Sequence, residues 1–263
     1  MDPVATRKTR KKRRLPAVWR LLRRERAYRE RGIRLLAGVD EAGVGPLAGP
    51  VVAAAALMPP DSAIRGVNDS KQIPDPELRA ALSRSILAEA TAIGVGVAFP
   101  REIDRINIYQ ATLAAMGRAV RRLGVTPELV LVDARTIPGL AIPQEAHVGG
   151  DRAFYQIACA SIVAKHYRDA LMTRMDRRYP GYGFARHHGY PTPEHRSALR
   201  ERGPCWIHRR HYRGVADWFQ EDLAGLWEDA TGPEAGSVPD DAVPGVHVQD
   251  GSGHAPGQVA EQE

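Results

Sequence analysis

An α/β fold, a mixed β-sheet covered by helices, is what three features of this 263-residue chain predict. Two apolar runs, 35–39 and 51–57, flank a turn rich in glycine and proline. Short apolar runs then alternate with segments of helical periodicity. Two of the runs end abruptly in an acid, at Asp40 and at Asp133. A hydrophobic fraction of 43% is enough for one sizeable core or two small ones.

In chain order, RKTRKKRR is too densely charged to bury a core, and the first fifteen residues are expected to be disordered. Residues 17–31 suit a basic helix carrying Trp19, Leu21 and Leu22. Residues 34–57 read as two strands joined at the glycine-rich turn. Asn68, Asp69, Ser70 and Lys71 form a polar loop, after which Asp75 and Pro76 offer an N-cap and a first-turn proline. Leu78, Leu82 and Ile86 give that helix an apolar stripe, and 93–99 is a short strand. Asn107 caps a second helix with Leu113, Met116, Val120 and Leu123 on one face. An apolar run at 129–132 ends in Asp133, and a short extended piece at 146–148 leads to Gly149, Gly150 and Asp151. A long helix follows, with Ile157, Ser161, Ala164 and Leu171 on one side. From Arg177 the chain is basic and aromatic, and a last helix is expected over 215–226.

The net charge of +6 conceals two opposed ends. Residues 1–34 hold fourteen Lys/Arg and three acids, for +11, whereas 228–263 hold eight acids and no Lys/Arg, for −8. The expected division is therefore a basic, mostly disordered extension at 1–33, a folded body at 34–228 and a disordered acidic Gly/Pro-rich tail at 229–263. The extension suits phosphate binding and suits equally a solvated tail that aids solubility. Cys159 and Cys205 make no disulfide framework, and with no secretory leader this points to a reducing cytoplasm. No run approaches eighteen apolar residues, so no membrane span is expected.

If the strands ending at Asp40 and Asp133 are parallel neighbours, both carboxylates emerge at one sheet edge, where α/β folds bind ligands. Glu41, next to Asp40, would point to the opposite face of a continuing strand. A bend at Glu41, which Gly43 and Gly45 permit, would bring both to one site. Asp151 precedes a helix and suits an ordinary N-cap as well as a fourth carboxylate. Asp133 also suits a turn, and Asp40 with Glu41 suits a hairpin closure. Three or four converging carboxylates without histidine fit a hard cation, Mg²⁺ or Mn²⁺, that relieves their repulsion. Paired ions about 4 Å apart can activate a water and stabilise the leaving oxygen of a phosphodiester.

The run GVDEAGVGPLAGPVVAAA resembles the opening signature of the ribonuclease HII family. NDSK, EIDRINIYQATLAAM, LVDA, GD, ASIVAKHYRD, YGFARHHGYPTPEH and HRRHY follow in the family's order and approximate spacing, over residues 35–226. The resemblance implies a ribonuclease H-like catalytic domain with a small helical C-terminal part, acting as a monomer. It implies hydrolysis of RNA in RNA–DNA hybrids and nicking of duplex DNA on the 5′ side of embedded ribonucleotides, leaving 3′-hydroxyl and 5′-phosphate ends. Asp40, Glu41, Asp133 and Asp151 match the family's carboxylates, the ligands for two Mn²⁺ or Mg²⁺ ions in the substrate complex. The turn Gly43, Val44 and Gly45 matches the glycine–arginine–glycine turn that senses the ribose 2′-hydroxyl, with Val44 in place of the arginine. Tyr190 matches the tyrosine that stacks on the following sugar; without the motif it reads as a partly buried loop aromatic. Lys71 matches a phosphate-contacting lysine and otherwise reads as an exposed loop charge. Ser161 and Lys165 lie in a matched helix, Ser161 to pack and Lys165 to reach phosphate or Asp151. Gly149 and His188 stand where lysine is usual, and His211, Tyr212 and Gly214 where Ser, Phe and Pro are usual. Two other readings stay open: a hybrid-cleaving ribonuclease with relaxed junction specificity, motivated by Val44, and a nucleic-acid-binding homologue with impaired catalysis.

Overall fold

A computed structural model describes residues 17–68 and 73–220. Lys71, the first sixteen residues, the second half of the expected helix at 215–226 and the acidic tail lie outside the described residues. One five-stranded sheet, in the order β3-β2-β1-β4-β5, is built from β1 (Leu36–Ala42), β2 (Val51–Leu57), β3 (Ala92–Ala98), β4 (Leu129–Asp133) and β5 (Gln144–His147). The first three strands are antiparallel neighbours, whereas β1–β4 and β4–β5 are parallel. This is the mixed sheet expected, with a matching set of flanking helices.

The sheet is buried on both faces. Along β2, Val52, Ala54 and Ala56 pack towards α4 (Tyr155–Arg178), while Val51, Ala53, Ala55 and Leu57 pack towards α3 (Pro100–Arg121). The alternation follows from successive side chains pointing to opposite faces. Small residues let the helices come close. A Cβ on Gly38 would lie 2.2 Å from the Gln156 carbonyl carbon, so only glycine admits the first turn of α4. The N-terminal three turns of α4, from Tyr155 to Ala164, are buried all round rather than on one stripe, because α1 (Ala17–Glu30) and α2 (Pro76–Glu89) cover the side facing away from the sheet.

Three expectations need correction. Residues 17–30 are not a separate extension: Val18, Leu21 and Tyr28 are buried against the body, whereas Trp19 is exposed. Leu78 of α2 is 48% exposed, and Arg79 takes the inward place because its Nη1 donates to the Ile73 carbonyl (2.6 Å). Asn107 does cap a helix, accepting from the Gln110 amide (3.0 Å), but helical turns precede it. Its φ of 66° and ψ of 163° break α3 into two pieces.

Glu25 is the member of α1 that composition could not pick out. Its fully buried carboxylate accepts from the Gln156 amide (2.7 Å), satisfying a donor at the N-terminus of α4, whose own N-cap, Phe154, makes no side-chain bond. Burial raises the Glu25 pKa to about 7, against the pull of the Gln156 amide and Arg29. A carboxyl raised in the folded state contributes full stability below its unfolded value and loses it as pH rises through the folded one. Wild-type stability is therefore expected to fall between about pH 4.5 and 7 on account of this group, by on the order of 3 kcal/mol. Glu25→Gln keeps the acceptor and should remove that slope, giving a higher Tm than wild type at pH 8; a variant less stable than wild type at pH 8 would contradict this.

Candidate active site

The acids sit where β1 and β4 run side by side. The parallel register pairs Val39 with Val132, so Asp40 and Asp133 are the next residue on each strand. Both belong to the face covered by α4, since Ala37, Val39, Val130 and Val132 point to the α3 side. Glu41 lies on the other face, as alternation requires. The expected bend is absent: Glu41 still pairs with Ala53, and Ala42 with Val52. Convergence comes instead at the end of β4: the pairing with β1 stops at Val39 and Val132, and Glu41 lies one residue past the level of Asp133, the last residue of β4. One oxygen each from Asp40, Glu41 and Asp133 lies within 4.8 Å of the others.

Each carboxylate is oriented by a donor. Asp40 accepts from the Ser161 hydroxyl and from the Glu41 amide (2.7 Å). Glu41 pairs with Arg135 (3.2 Å). Asp133 accepts from the Gly150 amide (2.7 Å), which ties the turn bearing Asp151 to the end of β4. Burial, reinforced by the charges of Glu41 and Asp133, pushes the Asp40 carboxyl well above the ordinary range; the hydrogen bonds only partly offset this. So much crowded, desolvated negative charge is the electrostatic signature of a cation site, and an all-oxygen donor set suits Mg²⁺ or Mn²⁺. The residues present fit such an ion. Among the described residues no other group of acids, histidines and cysteines converges in this way.

An open cleft of about 230 Å³ extends from Asp40 and Glu41 and gathers most of the other expected contacts. Gly43, Val44 and Gly45 form part of its wall, together with Ser161, Lys165 and Tyr190. Tyr190 is 42% exposed, so it is a rim aromatic rather than a packed one. Lys165 does not reach Asp151: its ammonium pairs with Asp169, one turn along α4. Asp169 also takes Arg79 (3.2 Å) and lies 4.0 Å from His188. Asp151 is buried in the single 3-10 turn Gly150–Arg152, outside the converging trio and three residues before the Phe154 N-cap, so it does not cap α4.

Two parts of the site lie inside the matched segments ASIVAKHYRD, YGFARHHGYPTPEH and HRRHY, which gave their residues no role. Arg168 and Arg209 are fully buried on either side of the glycine turn, donating to main-chain carbonyls. Behind Tyr190 lies a chain of neutral histidines. The Cys205 amide donates to His208 Nδ1 (2.9 Å), which leaves His208 Nε2–H to donate to His195 Nε2 (3.1 Å). His195 Nδ1–H then donates to the Tyr190 carbonyl (2.9 Å). Burial depresses both rings to a pKa of about 4, consistent with these tautomers.

A mixed sheet with acids clustered at the junction of its central parallel pair defines the ribonuclease H class of nuclease. The solved structure of ribonuclease H2 from Pyrococcus horikoshii OT3 is similar, with a TM-score of 0.61 and 25% identity over 72% of this chain and 99% of that one. A Bst ribonuclease HIII solved in complex with Mn²⁺ shares the fold, with a TM-score of 0.57 and 17% identity over 83% and 77%. The family model for ribonuclease HII matches residues 37–215. Ribonuclease HII of Myxococcus xanthus is 52% identical over 198 residues, 75% of this chain and 68% of its own. That of Geobacillus kaustophilus is 50% identical over 75% of each chain. The chain belongs to the ribonuclease HII family and is a ribonuclease H enzyme.

Proposed function

We propose that this ribonuclease, a cytoplasmic monomer, hydrolyses RNA in RNA–DNA hybrids and nicks duplex DNA on the 5′ side of single embedded ribonucleotides, leaving 3′-hydroxyl and 5′-phosphate ends. The observation that carries this reading is the convergence of Asp40, Glu41 and Asp133 at one end of a cleft walled by the glycine turn and Tyr190. The three carboxylates, with Asp151 as a fourth, would hold two Mg²⁺ or Mn²⁺ ions. When bound, such ions make a nucleophile of water and stabilise the leaving oxygen. The protein's share is orientation: Ser161, Arg135 and the Gly150 amide each fix one carboxylate, so little reorganisation accompanies the reaction. The Gly43–Gly45 backbone would lie along the ribonucleotide, and the Tyr190 face against the next sugar, where a 2′-hydroxyl would crowd it. Lys71 and Lys165 would meet phosphates.

Val44 favours a second reading, relaxed junction specificity, because its side chain supplies neither the charge nor the donors of the usual arginine. Cleavage of a duplex with one ribonucleotide, compared with a fully hybrid duplex, separates the two. A strong preference for the single ribonucleotide, with the expected ends, supports the first; equal rates support the second. Metal-dependent binding with no cleavage of either substrate would indicate an impaired homologue.

Seven Lys/Arg and one acid in residues 1–16 would add sequence-independent affinity for phosphates. Since α1 is part of the body, the informative deletion is 1–16. Each lost phosphate contact should flatten the plot of log affinity against log salt by about 0.7–0.9, so a fall of at least about 2 is expected if three or more contacts are lost. An unchanged slope would leave these residues no part in binding.

A further inference from the structure

The glycine turn beside the carboxylates is held from within by side chains of the C-terminal segment. Arg209 donates from Nη2 to the Gly43 carbonyl (2.5 Å) and the Gly49 carbonyl (2.8 Å), from Nε to Gly49 (3.0 Å), and from Nη1 to the Val44 carbonyl (2.7 Å). Tyr212 Oη accepts from Arg209 Nη1 (3.0 Å) and donates to the same Val44 carbonyl (2.7 Å). Both lone pairs of that oxygen are thus engaged. Opposite, Arg168 donates to Pro50 (3.0 Å) and occupies the space a Gly43 Cβ would need, 2.0 Å from its Nε. Guanidinium-to-carbonyl bonds are charge-assisted and stronger than neutral ones.

A trans peptide sets its C=O and N–H antiparallel. With the Gly43 and Val44 carbonyls turned inward to Arg209, the N–H groups of Val44 and Gly45 are turned the other way, and both residues line the cleft. Gly45 is exposed, with nothing within 4 Å of a Cβ built on it, so the turn is uncovered there. We propose that Arg209 and Tyr212 are positioning residues: they aim the Val44 and Gly45 amides at acceptor oxygens of the nucleic-acid backbone, and so set how tightly the turn reads substrate. This rests on the functional reading above. It assigns a role in recognition to the tyrosine hydroxyl, a group some 168 residues along the chain from the turn it holds.

Tyr212→Phe tests it, since the ring stays and only the hydroxyl goes. On the single-ribonucleotide duplex, kcat/KM is expected to fall by about tenfold, largely through KM, as one of two donors to Val44 is lost. Mn²⁺ affinity should stay at its wild-type value, because no carboxylate is touched, and Tm should fall by no more than about 2–4 °C, the cost of a hydrogen bond. Arg209→Lys, which keeps the charge and loses the fork, should cost more. Retention of kcat/KM within twofold in Tyr212→Phe would overturn the proposal, as would a loss matched by an equal loss of Mn²⁺ affinity or by a large fall in Tm. A wild-type protein that fails to cleave would sink the functional reading instead. The clamp would then be decided by amide NMR: titration with duplex should shift the Val44 and Gly45 resonances in wild type and less in Tyr212→Phe, and equal shifts in both would refute it.

Discussion

Asp40→Asn is expected to abolish cleavage and yet to raise the Tm of the metal-free protein. Asp40 is 5% exposed, and its burial beside Glu41 and Asp133 makes its ionised form costly. Asparagine has the same shape and keeps an acceptor for the Ser161 hydroxyl and the Glu41 amide, so the change removes charge and little else. Relief of that repulsion and desolvation should raise the Tm of the metal-free protein. The same substitution takes a central ligand from the proposed metal site, and kcat/KM should fall by at least about 10³-fold, equivalent to about 4 kcal/mol of transition-state stabilisation. Adding Mn²⁺ should stabilise wild type and leave the variant almost unmoved. Gain in stability with loss of function separates a charge cluster built for a cation from one that merely ties the fold together. A drop in the metal-free Tm would favour the latter.

Gly38→Ala should have the largest effect on stability. The new Cβ would sit 2.2 Å from Gln156 C, 2.3 Å from Ile157 N and 2.6 Å from Gln156 O, all main-chain atoms of α4. No side-chain rotation relieves such a clash, so α4 must move off β1. Overpacking alone costs about 1–3 kcal/mol, and backbone displacement puts this case at or above the upper end, a Tm loss of about 6–12 °C. Activity should fall as well, even where the protein remains folded. The displaced helix carries Ser161, which holds Asp40, and Lys165, which lines the cleft. Gly45→Ala is the matched control: its φ is ordinary and nothing lies within 4 Å of the added methyl, so Tm should not change. A stable Gly38→Ala variant would mean that α4 does not pack on β1 as described.

The fold was legible where one local pattern decided it. Apolar runs ending in acids placed β1 and β4, and Asp75 followed by Pro76 placed the start of α2. The site was legible as far as its acids, its glycine turn and Tyr190, whose types and order matched a family pattern. Long-range partners hid the rest. Arg168 stands in the long helix and Arg209 in the basic, aromatic stretch after Arg177, where nothing local marks either as buried. Their burial depends on carbonyls 118 and 166 residues away in sequence. Glu25 sat among arginines and looked solvated, although its partner is the Gln156 amide, 131 residues on. The convergence of Glu41 with Asp40 was expected for the wrong reason: alternation was read correctly, but the point where β4 stops cannot be seen from β1. Lys165, expected to reach phosphate or Asp151, pairs with an acid one turn away in its own helix, Asp169.

The central claim is that Asp40, Glu41 and Asp133 form the metal centre of a ribonuclease. The most direct test is a calorimetric titration of Mn²⁺ into wild type and Asp133→Asn, with cleavage of a single-ribonucleotide duplex followed in the same samples. Wild type should bind the ion and cut only when it is present, and Asp133→Asn should lose both together. Cleavage that persists in chelator, or Mn²⁺ binding left intact by Asp133→Asn, would contradict it.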